Sequence, residues 1–322
     1  MSEIYQHIDK FTQIFAKELT PQLADTYVAS LIEKLGDPNQ GLEEIVHKGE
    51  LLHQHVGENI YGPLIAGYIQ WVEDKCGEAG HTGPVFFALR DAAPLETAAK
   101  VLWNGKAIYP VGVYANRPML MIEDEIAPEW ASANGKVVQY LGMLGLAGME
   151  KVVWSDTGAW GTVVKALKVG LLNNADFLPL FWYSHNPHIS GYINSLLPEC
   201  GIDEKFGEVL NDSLECVFPQ PFVRPLDVVQ GPAGWQVKLE LSCYLSEQWG
   251  KAALVGVNNA AHKILVEGGV SHETQIKSLQ NLYHLHEIAK KTGKWTGVLP
   301  VNTPTWSNGE EFLNSWPHDL LP

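Results

Sequence analysis

Cysteine is scarce in this chain. The 322 residues include four cysteines, which are widely separated and form no CxxC pair: Cys76, Cys200, Cys216 and Cys243. A zinc ribbon and a thioredoxin-type site both need closely spaced cysteines, so neither is expected. Reduced thiols in a cytoplasmic protein are the default expectation for such a pattern.

Basic residues are also few. The chain has 22 Lys and Arg against 37 Asp and Glu, which gives a formal net charge of -15, and no cluster of Lys and Arg interrupts this acidity. A negative field repels a polyphosphate backbone, so the composition argues against an extended nucleic-acid surface. The same acidity is typical of a soluble cytoplasmic protein.

Long apolar runs and familiar catalytic motifs are missing as well. No uninterrupted apolar stretch approaches the roughly 20 residues that a helix needs to cross a bilayer, so no membrane association is expected. The opening MSEIYQHIDKFTQIF has no basic region followed by an apolar block, and no secretory signal is expected. The motifs HExxH, GxSxG, GxxxxGK[ST] and GxGxxG do not occur, which argues against the enzyme classes that carry them.

The patterns that are present divide the chain into three regions. Residues 1–80 are predicted to form a helical N-terminal unit, because apolar residues recur three and four apart. This unit is interpreted as a cap or a dimerisation element, and a homodimer is one assembly that it allows. Residues 81–200 are predicted to form an α/β core. Residues 201–322 are predicted to contain an irregular loop with a hairpin, two helices and a tail rich in Trp and Pro, packed on the core.

The core prediction depends on an alternation of strand-like and helix-like segments. The strand-like segments are PVFFALRD, YPVGVYANRP, KVVWSD and FLPLFWYS. The helix-like segments are APLETAAKVLWNG, ASANGKVVQYLGMLGL, GTVVKALKVGLL and ISGYINSLL. Such an alternation predicts a parallel sheet flanked by helices on both faces.

The most suggestive stretch is KVVWSDTGAWGT, residues 151–162, where a strand is predicted to turn into a helix. Asp156 would emerge at the mouth of the sheet, where ligands of open parallel sheets bind. Gly158 and Gly161 allow a close ligand approach, and Thr162 begins a helix whose first N–H groups lack partners. The predicted anion-binding residues are Thr157, Gly158, Ala159, Trp160, Gly161 and Thr162, with Asp156 binding a metal or a sugar diol. The alternative is a helix cap made by Asp156 or Thr157.

Polar residues follow the other predicted strands. Arg90 and Asp91 end the first strand, and a guanidinium there can bind phosphate or carboxylate through two hydrogen bonds. The alternative is a local Arg90–Asp91 ion pair of little energetic worth. Asn116 and Arg117 end the second strand and are included among the phosphate-binding candidates, although Arg117 could instead pair with Glu123 or Asp124 of the following loop.

His185 follows the last predicted strand and is included among the phosphate-binding candidates. It lies three residues before His188, a spacing at which two imidazoles on a helix could share a metal. Pro187 stands between them and favours a turn over a metal site.

These motifs, in this order, resemble the phosphoribosyltransferase fold. VFFALRDAAPLETAAKVL corresponds to the strand, pyrophosphate loop and helix of that family, VGVYANRP to its next strand, and KVVWSDTGAWGTVVKAL to its ribose-phosphate element. The resemblance implies that Arg90 and Asp91 lie near a pyrophosphate and Asp156 near the ribose hydroxyls. It also implies that residues 157–162 surround the 5-phosphate, with Mg²⁺ as the cofactor.

The sequence leaves three functions open. The first is a phosphoribosyltransferase-like enzyme acting on a phosphorylated ribose or nucleotide. The second is a nucleotide- or phosphosugar-binding protein without catalysis, because Ser155-Asp156 offers one acid where the family usually has two. The third is a hydrolase with Asp91 or Asp156 as nucleophile or base. It is suggested by a similarity, in the order of LRDAA and DTGAWGT, to uncharacterised bacterial domains that accompany haloacid-dehalogenase-like predicted hydrolases.

Overall fold

The computed structural model describes the central part of the chain and one long helix of its C-terminal region. The described residues are 50, 53–89, 91–115, 135–146, 148–159, 161–170, 172, 174–184, 194–195, 218, 225–232, 234–239, 244–271, 273–275 and 277–278. The helices predicted before residue 50 and the Trp- and Pro-rich tail therefore lie outside the described residues.

The centre of the fold is a parallel sheet. Its strands are β1 (Gly83–Leu89), β2 (Ile108–Tyr114), β3 (Lys151–Ala159), β4 (Asp176–Ser184) and β5 (Asn194–Ser195). Their spatial order is β2-β1-β3-β4-β5, and every pair is parallel. This order is one of the two common arrangements of doubly wound α/β sheets. The α/β class predicted from the sequence is confirmed.

Five helices whose bounds are described accompany the sheet. They are α1 (Gly62–Glu78), α2 (Ala93–Leu102), α3 (Gly135–Met143), α4 (Thr162–Gly170) and α5 (Tyr244–Glu267). A π-helical turn, Gly57–Tyr61, leads directly into α1. Helices α2, α3 and α4 each lie in the chain between two consecutive strands, as the crossovers of a parallel sheet require.

One face of the sheet, called here the α1 face, is covered by α1, α2 and α5. These helices share a buried apolar core with side chains from four strands. The strand residues in this core are Val85, Phe87, Ile108, Val153, Leu180, Trp182 and Tyr183. Helix α1 is thus part of the layer that covers the sheet. The boundaries between the three predicted regions, at residues 80 and 200, stay predictions.

Helix α5 crosses the residues that precede α1 at close range. At the crossing, a glycine of each segment faces the backbone of the other. A Cβ at Gly256 of α5 would overlap the Gln54 carbonyl and stand 2.7 Å from the Glu58 nitrogen. A Cβ at Gly57 would overlap the Ala253 carbonyl in the same way. Real Cβ atoms do not come this close to backbone, so the crossing requires glycine at both positions.

The opposite face, called the α3 face, is covered by α3, α4 and a hairpin. The hairpin pairs β6 (Pro225–Gly231) with β7 (Gly234–Leu239) in antiparallel fashion. Its Val228 is fully buried with Phe86, Trp154 and Phe181 of the sheet. Successive side chains of a strand point to opposite faces, and here both faces of the sheet are covered. The strands are therefore nearly continuous apolar runs in the sequence.

Strand β2 forms one edge of the sheet in the described part of the chain. Pro110 lies within it, and proline has no N–H to donate to a ladder. The Tyr114 N–H donates to the Tyr140 hydroxyl of α3 at 3.1 Å rather than to a neighbouring strand. Burial raises the pKa of Tyr140 to about 12, so this hydroxyl stays protonated at neutral pH.

Two predicted elements differ from the structure. Strand β3 continues to Ala159, three residues beyond the predicted end at Asp156, because it pairs with β4 through Ala159–Ser184. The helix predicted over ISGYINSLL is wrong at Asn194 and Ser195, which pair with β4 as strand β5. In both places a neighbouring strand supplies backbone partners and overrides a weak local preference. The hairpin expected in the third region is confirmed.

Within the described residues, no helix combines the length and the apolar character needed to cross a membrane.

Candidate functional site

The connections that leave β1 and β3 turn to opposite faces of the sheet. After β1 the chain enters α2 on the α1 face, and after β3 it enters α4 on the α3 face. These two strands are neighbours in the sheet order β2-β1-β3-β4-β5. In an open parallel sheet, such a switch of direction leaves a crevice at the carboxyl ends of the two strands, where ligands bind.

The pairing of the strands indicates where this crevice opens. Strands β1 and β3 pair from Val85–Val153 to Phe87–Ser155, the last pair recorded between them. Each strand continues further while paired with its other neighbour. Strand β1 remains paired with β2 as far as Leu89–Tyr114. Strand β3 remains paired with β4 as far as Ala159–Ser184. The crevice therefore begins just beyond Ser155, at the level of Asp156.

Asp156 lies inside β3, on the α3 face, and is partly buried. Its Oδ1 accepts a hydrogen bond from the N–H of Thr157 at 2.7 Å. This short contact holds the carboxylate against its own strand and stabilises its charge. The amide that Asp156 binds belongs to β3, and the helix cap that the sequence left open stays a prediction.

The turn from β3 into α4 is made by Gly161. Its φ of +61° lies in the left-handed region, where glycine has no steric penalty. Its carbonyl accepts from the Lys165 N–H at 3.0 Å, which begins the helical pattern of α4. Thr157 and Gly158, predicted to belong to the turn, are strand residues instead, and Gly158 pairs with Tyr183.

Helix α2 begins on the other side of the crevice. Asp91 follows β1 and is partly buried. Ala92 is the N-cap residue, and its own side chain makes no capping hydrogen bond. Pro94 in the first turn needs no N–H partner. The α2 N-terminus therefore presents backbone N–H groups and a positive dipole end near the Asp91 carboxylate.

Several predicted site residues lie outside the described residues. They are Arg90, Asn116, Arg117, Trp160 and His185. Gly158, Ala159 and Thr162 are described in their backbone only, the first two in β3 and Thr162 as the first residue of α4. Of the predicted set, the structure brings Asp91, Asp156, Thr157 and Gly161 to the same end of the sheet.

Sequence reasoning missed the groups that support this end of the sheet from the α1 face. The Tyr68 hydroxyl of α1 lies 2.9 Å from Ser155 Oγ, next to Asp156 in sequence. Ser155 is fully buried. The signal available was a serine directly after the apolar VVW of a buried strand, which must find a hydrogen-bond partner inside the protein. Nothing in the sequence around Tyr68 identifies it as that partner.

Glu96 of α2 was also missed. Its side chain is 13% exposed and forms an ion pair with Lys100 at 2.8 Å. Gly112 of β2 makes room for it, because a Cβ there would stand 2.9 Å from Glu96 Oε1. Burial raises the pKa of Tyr114, and the Glu96 charge raises it further. Glu96 thus adds a nearly buried carboxylate beside the carboxyl end of β2.

The acids in the described part of the chain do not form a complete metal-binding site. No group of three or more His, Cys, Asp or Glu among the described residues is close enough to hold a metal ion.

No protein-family model and no curated protein matches the chain. The resemblance to phosphoribosyltransferases stays a prediction based on the three motifs. The geometry adds two helix N-termini and two partly buried carboxylates, Asp91 and Asp156, at one crevice of a doubly wound sheet. Such an arrangement can bind a phosphate at the backbone amides and a cation or a diol at a carboxylate.

Proposed function

We propose that the protein binds a phosphorylated ribose or nucleotide between β1 and β3 and acts on it as a phosphoribosyltransferase-like enzyme with Mg²⁺. The observation that carries the proposal is the change of direction between β1 and β3, whose connections turn to opposite faces of the sheet. There the first turns of α2 and α4 and the carboxylates of Asp91 and Asp156 occupy the same end of the sheet. Doubly wound sheets bind their ligands at this position.

The phosphate would bind at the start of α4. Gly161 adopts a positive φ there, and the first N–H groups of the helix have no partners within it. These amides and the helix dipole favour an anion. Thr157, which is buried, and Thr162 flank this loop in the sequence. The motif order suggests the 5-phosphate as the group bound here.

Asp156 would bind Mg²⁺ or the ribose diol. A single carboxylate suffices when the substrate supplies phosphate oxygens to the same ion. The ion would neutralise charge that develops on a departing pyrophosphate, near which Arg90 and Asp91 are proposed to lie. The role of the protein would be mainly electrostatic and positional, with no covalent intermediate.

Thermal unfolding in the presence of phosphoribosyl pyrophosphate, with and without Mg²⁺, tests this function. A ligand at 100 times its Kd stabilises a protein by about 2.7 kcal/mol, which is readily measured. We expect stabilisation that requires Mg²⁺ in the wild type and its loss in Asp156→Asn. Asp176→Asn is the matched control, because Asp176 begins β4 at the opposite end of the sheet and its side chain is 72% exposed. A Mg²⁺-dependent response that survives in Asp156→Asn would contradict the role of Asp156.

A non-catalytic binding protein is the second candidate. It is favoured by the bond from the Thr157 N–H to Asp156 Oδ1 at 2.7 Å, which already engages the one acid of the Ser155-Asp156 pair. The same unfolding experiment separates the two functions. Stabilisation by nucleotides or inorganic phosphate without any dependence on Mg²⁺ would support the binding protein and argue against the enzyme.

A further inference from the structure

Tyr68 makes an unusual set of contacts under the proposed site. Its hydroxyl lies 2.9 Å from Ser155 Oγ on β3 and 2.9 Å from the Leu180 carbonyl oxygen on β4. The Asp156 carbonyl oxygen is 3.4 Å away. One side chain of α1 therefore holds two adjacent strands at the point where the crevice begins.

The donors and acceptors of this contact can be assigned. A tyrosine hydroxyl has one proton to donate and can also accept. Since the Leu180 carbonyl can only accept, Tyr68 donates to it and Ser155 donates to Tyr68. The longer contact to the Asp156 carbonyl is a weaker, shared interaction. Every polar atom of this fully buried cluster then has a partner.

The ring of Tyr68 is held as firmly as its hydroxyl. It stacks on Trp182 of β4, with ring centroids 5.5 Å apart and an angle of 17° between the planes. Trp71 contacts it from its own helix at 5.6 Å. A fully buried ring between two tryptophans has few alternative rotamers, so the hydroxyl occupies a fixed position.

Tyr68 and the Asp156 carboxylate lie on opposite faces of β3. Ser155 points to Tyr68, and the next side chain along a strand points the other way. Contacts to Ser155 and to the backbone of Asp156 therefore act on the carboxylate through the strand itself. The two groups also interact electrostatically: burial raises the pKa of Tyr68, the hydrogen bond with Ser155 lowers it, and the Asp156 charge raises it.

We infer that Tyr68 is a positioning residue, which fixes the Ser155–Asp156 backbone from the α1 face and thereby directs the Asp156 carboxylate into the crevice. The consequence for ligand binding rests on the proposed function. The consequence for the geometry of Asp156 does not, and it can be tested in the protein without ligand.

Amide hydrogen exchange tests the geometry. The Thr157 N–H, which donates to Asp156 Oδ1, reports whether the carboxylate keeps its place. In Tyr68→Phe we expect this amide to exchange about tenfold faster, as the loss of one buried hydrogen bond allows. Tyr140→Phe is the matched control, because it also removes a buried tyrosine hydroxyl bonded to backbone, but on the α3 face. Equal exchange of Thr157 in the two variants would overturn the inference.

Ligand binding gives the second measurement. In Tyr68→Phe the Mg²⁺ concentration for half-maximal stabilisation by phosphoribosyl pyrophosphate should rise about tenfold, with no such rise in Tyr140→Phe. If the wild type does not respond to this ligand, the proposed function fails, whereas the exchange experiment still decides the role of Tyr68. If Tyr68→Phe does not fold, Ser155→Ala removes the same link and replaces it in both measurements. An unchanged Thr157 exchange rate in Ser155→Ala would then overturn the inference.

Discussion

The two faces of the sheet are built differently. On the α1 face, long helices cross at glycines, and the buried Tyr68–Ser155 pair links helix α1 to strand β3. On the α3 face, two helices of nine residues each and a hairpin cover the strands. Asp156 faces this second side, and the α4 N-terminus lies at its edge. The face with the tighter helix packing thus supports the strands, and the other face carries the proposed ligand groups.

This difference shows that the carboxyl end of the sheet is supported by the helices of the α1 face. Elements that must admit a ligand cannot also be packed to the density of a core. The α1 face supplies the rigid support, so the groups on the α3 face are held in position without being enclosed. The predictions that follow test this contrast, from the largest effect to the smallest.

The glycine crossing of the α1 face should be the most sensitive point. In Gly256→Ala the new methyl group would meet the backbone of Gln54 and Glu58, which cannot move aside as a side chain can. We expect the free energy of unfolding to fall by about 3 kcal/mol, the upper range for overpacked sites. Urea denaturation measures this loss.

Gly77→Ala is the control for that substitution. Gly77 lies in α1 on the same face, but it is exposed and nothing stands within 4 Å of a Cβ there. Alanine should stabilise this helix by about 0.5–1 kcal/mol. A Gly256→Ala protein as stable as the wild type would show that the helices can separate without cost, and the contrast between the faces would be lost.

The Tyr68–Ser155 link should show measurable coupling. Tyr68→Phe leaves a buried Ser155 hydroxyl without its partner and should cost about 1–3 kcal/mol. Adding Ser155→Ala removes that unsatisfied group, so the double variant should be less destabilised than the sum of the single variants by about 1 kcal/mol. Ser155→Ala combined with Tyr140→Phe should be additive, because Tyr140 is on the α3 face. Additivity of the first pair would contradict the proposed link.

Alkaline pH should affect the α1 face first. Burial raises the pKa of Cys76 from 9.0 to about 12, whereas Tyr140 on the α3 face rises from 10.0 to about 12. The folded protein therefore binds the Cys76 proton more tightly than the unfolded chain. The stability that this proton provides is complete below pH 9 and is lost as the pH rises toward 12.

Between pH 8 and 10 the wild type should lose about 1 kcal/mol of unfolding free energy through this thiol. Cys76→Ala should be less stable at pH 8, because a buried group is deleted, but its stability should fall less steeply up to pH 10. Denaturant titrations at several pH values measure both slopes. Identical slopes would show that Cys76 ionises as readily in the folded protein as in the unfolded chain.

The sequence predicts the sheet well because its signals are local. Apolar runs such as VVW and FLPLFW are read directly as strands buried on both faces, and the intervening apolar periodicity predicts the helices. The class of fold and the carboxyl-end location of Asp91, Asp156 and Gly161 follow from that alternation. The order of the strands does not, because it depends on which edges pair after the chain has crossed over the sheet.

The remainder depends on contacts between distant residues. Strand β3 continues past Asp156 because β4 offers backbone partners as far as the pair Ala159–Ser184. Tyr68 meets Ser155 across 87 positions of sequence. No local pattern encodes either contact. The helix prediction at Asn194 and Ser195 fails for the same reason, since a short segment adopts the structure that its neighbour allows.

The edge strand β2 has a consequence for how copies of this protein meet in a crowded solution. A bare strand edge invites another chain to add itself and extend the sheet. On β2, Pro110 offers no amide, and the Tyr114 amide is already taken by Tyr140. A strand of another chain that pairs with β2 would therefore lack hydrogen-bond donors at Pro110 and Tyr114. In the described part of the sheet, edge-to-edge addition of a second copy along β2 is therefore disfavoured.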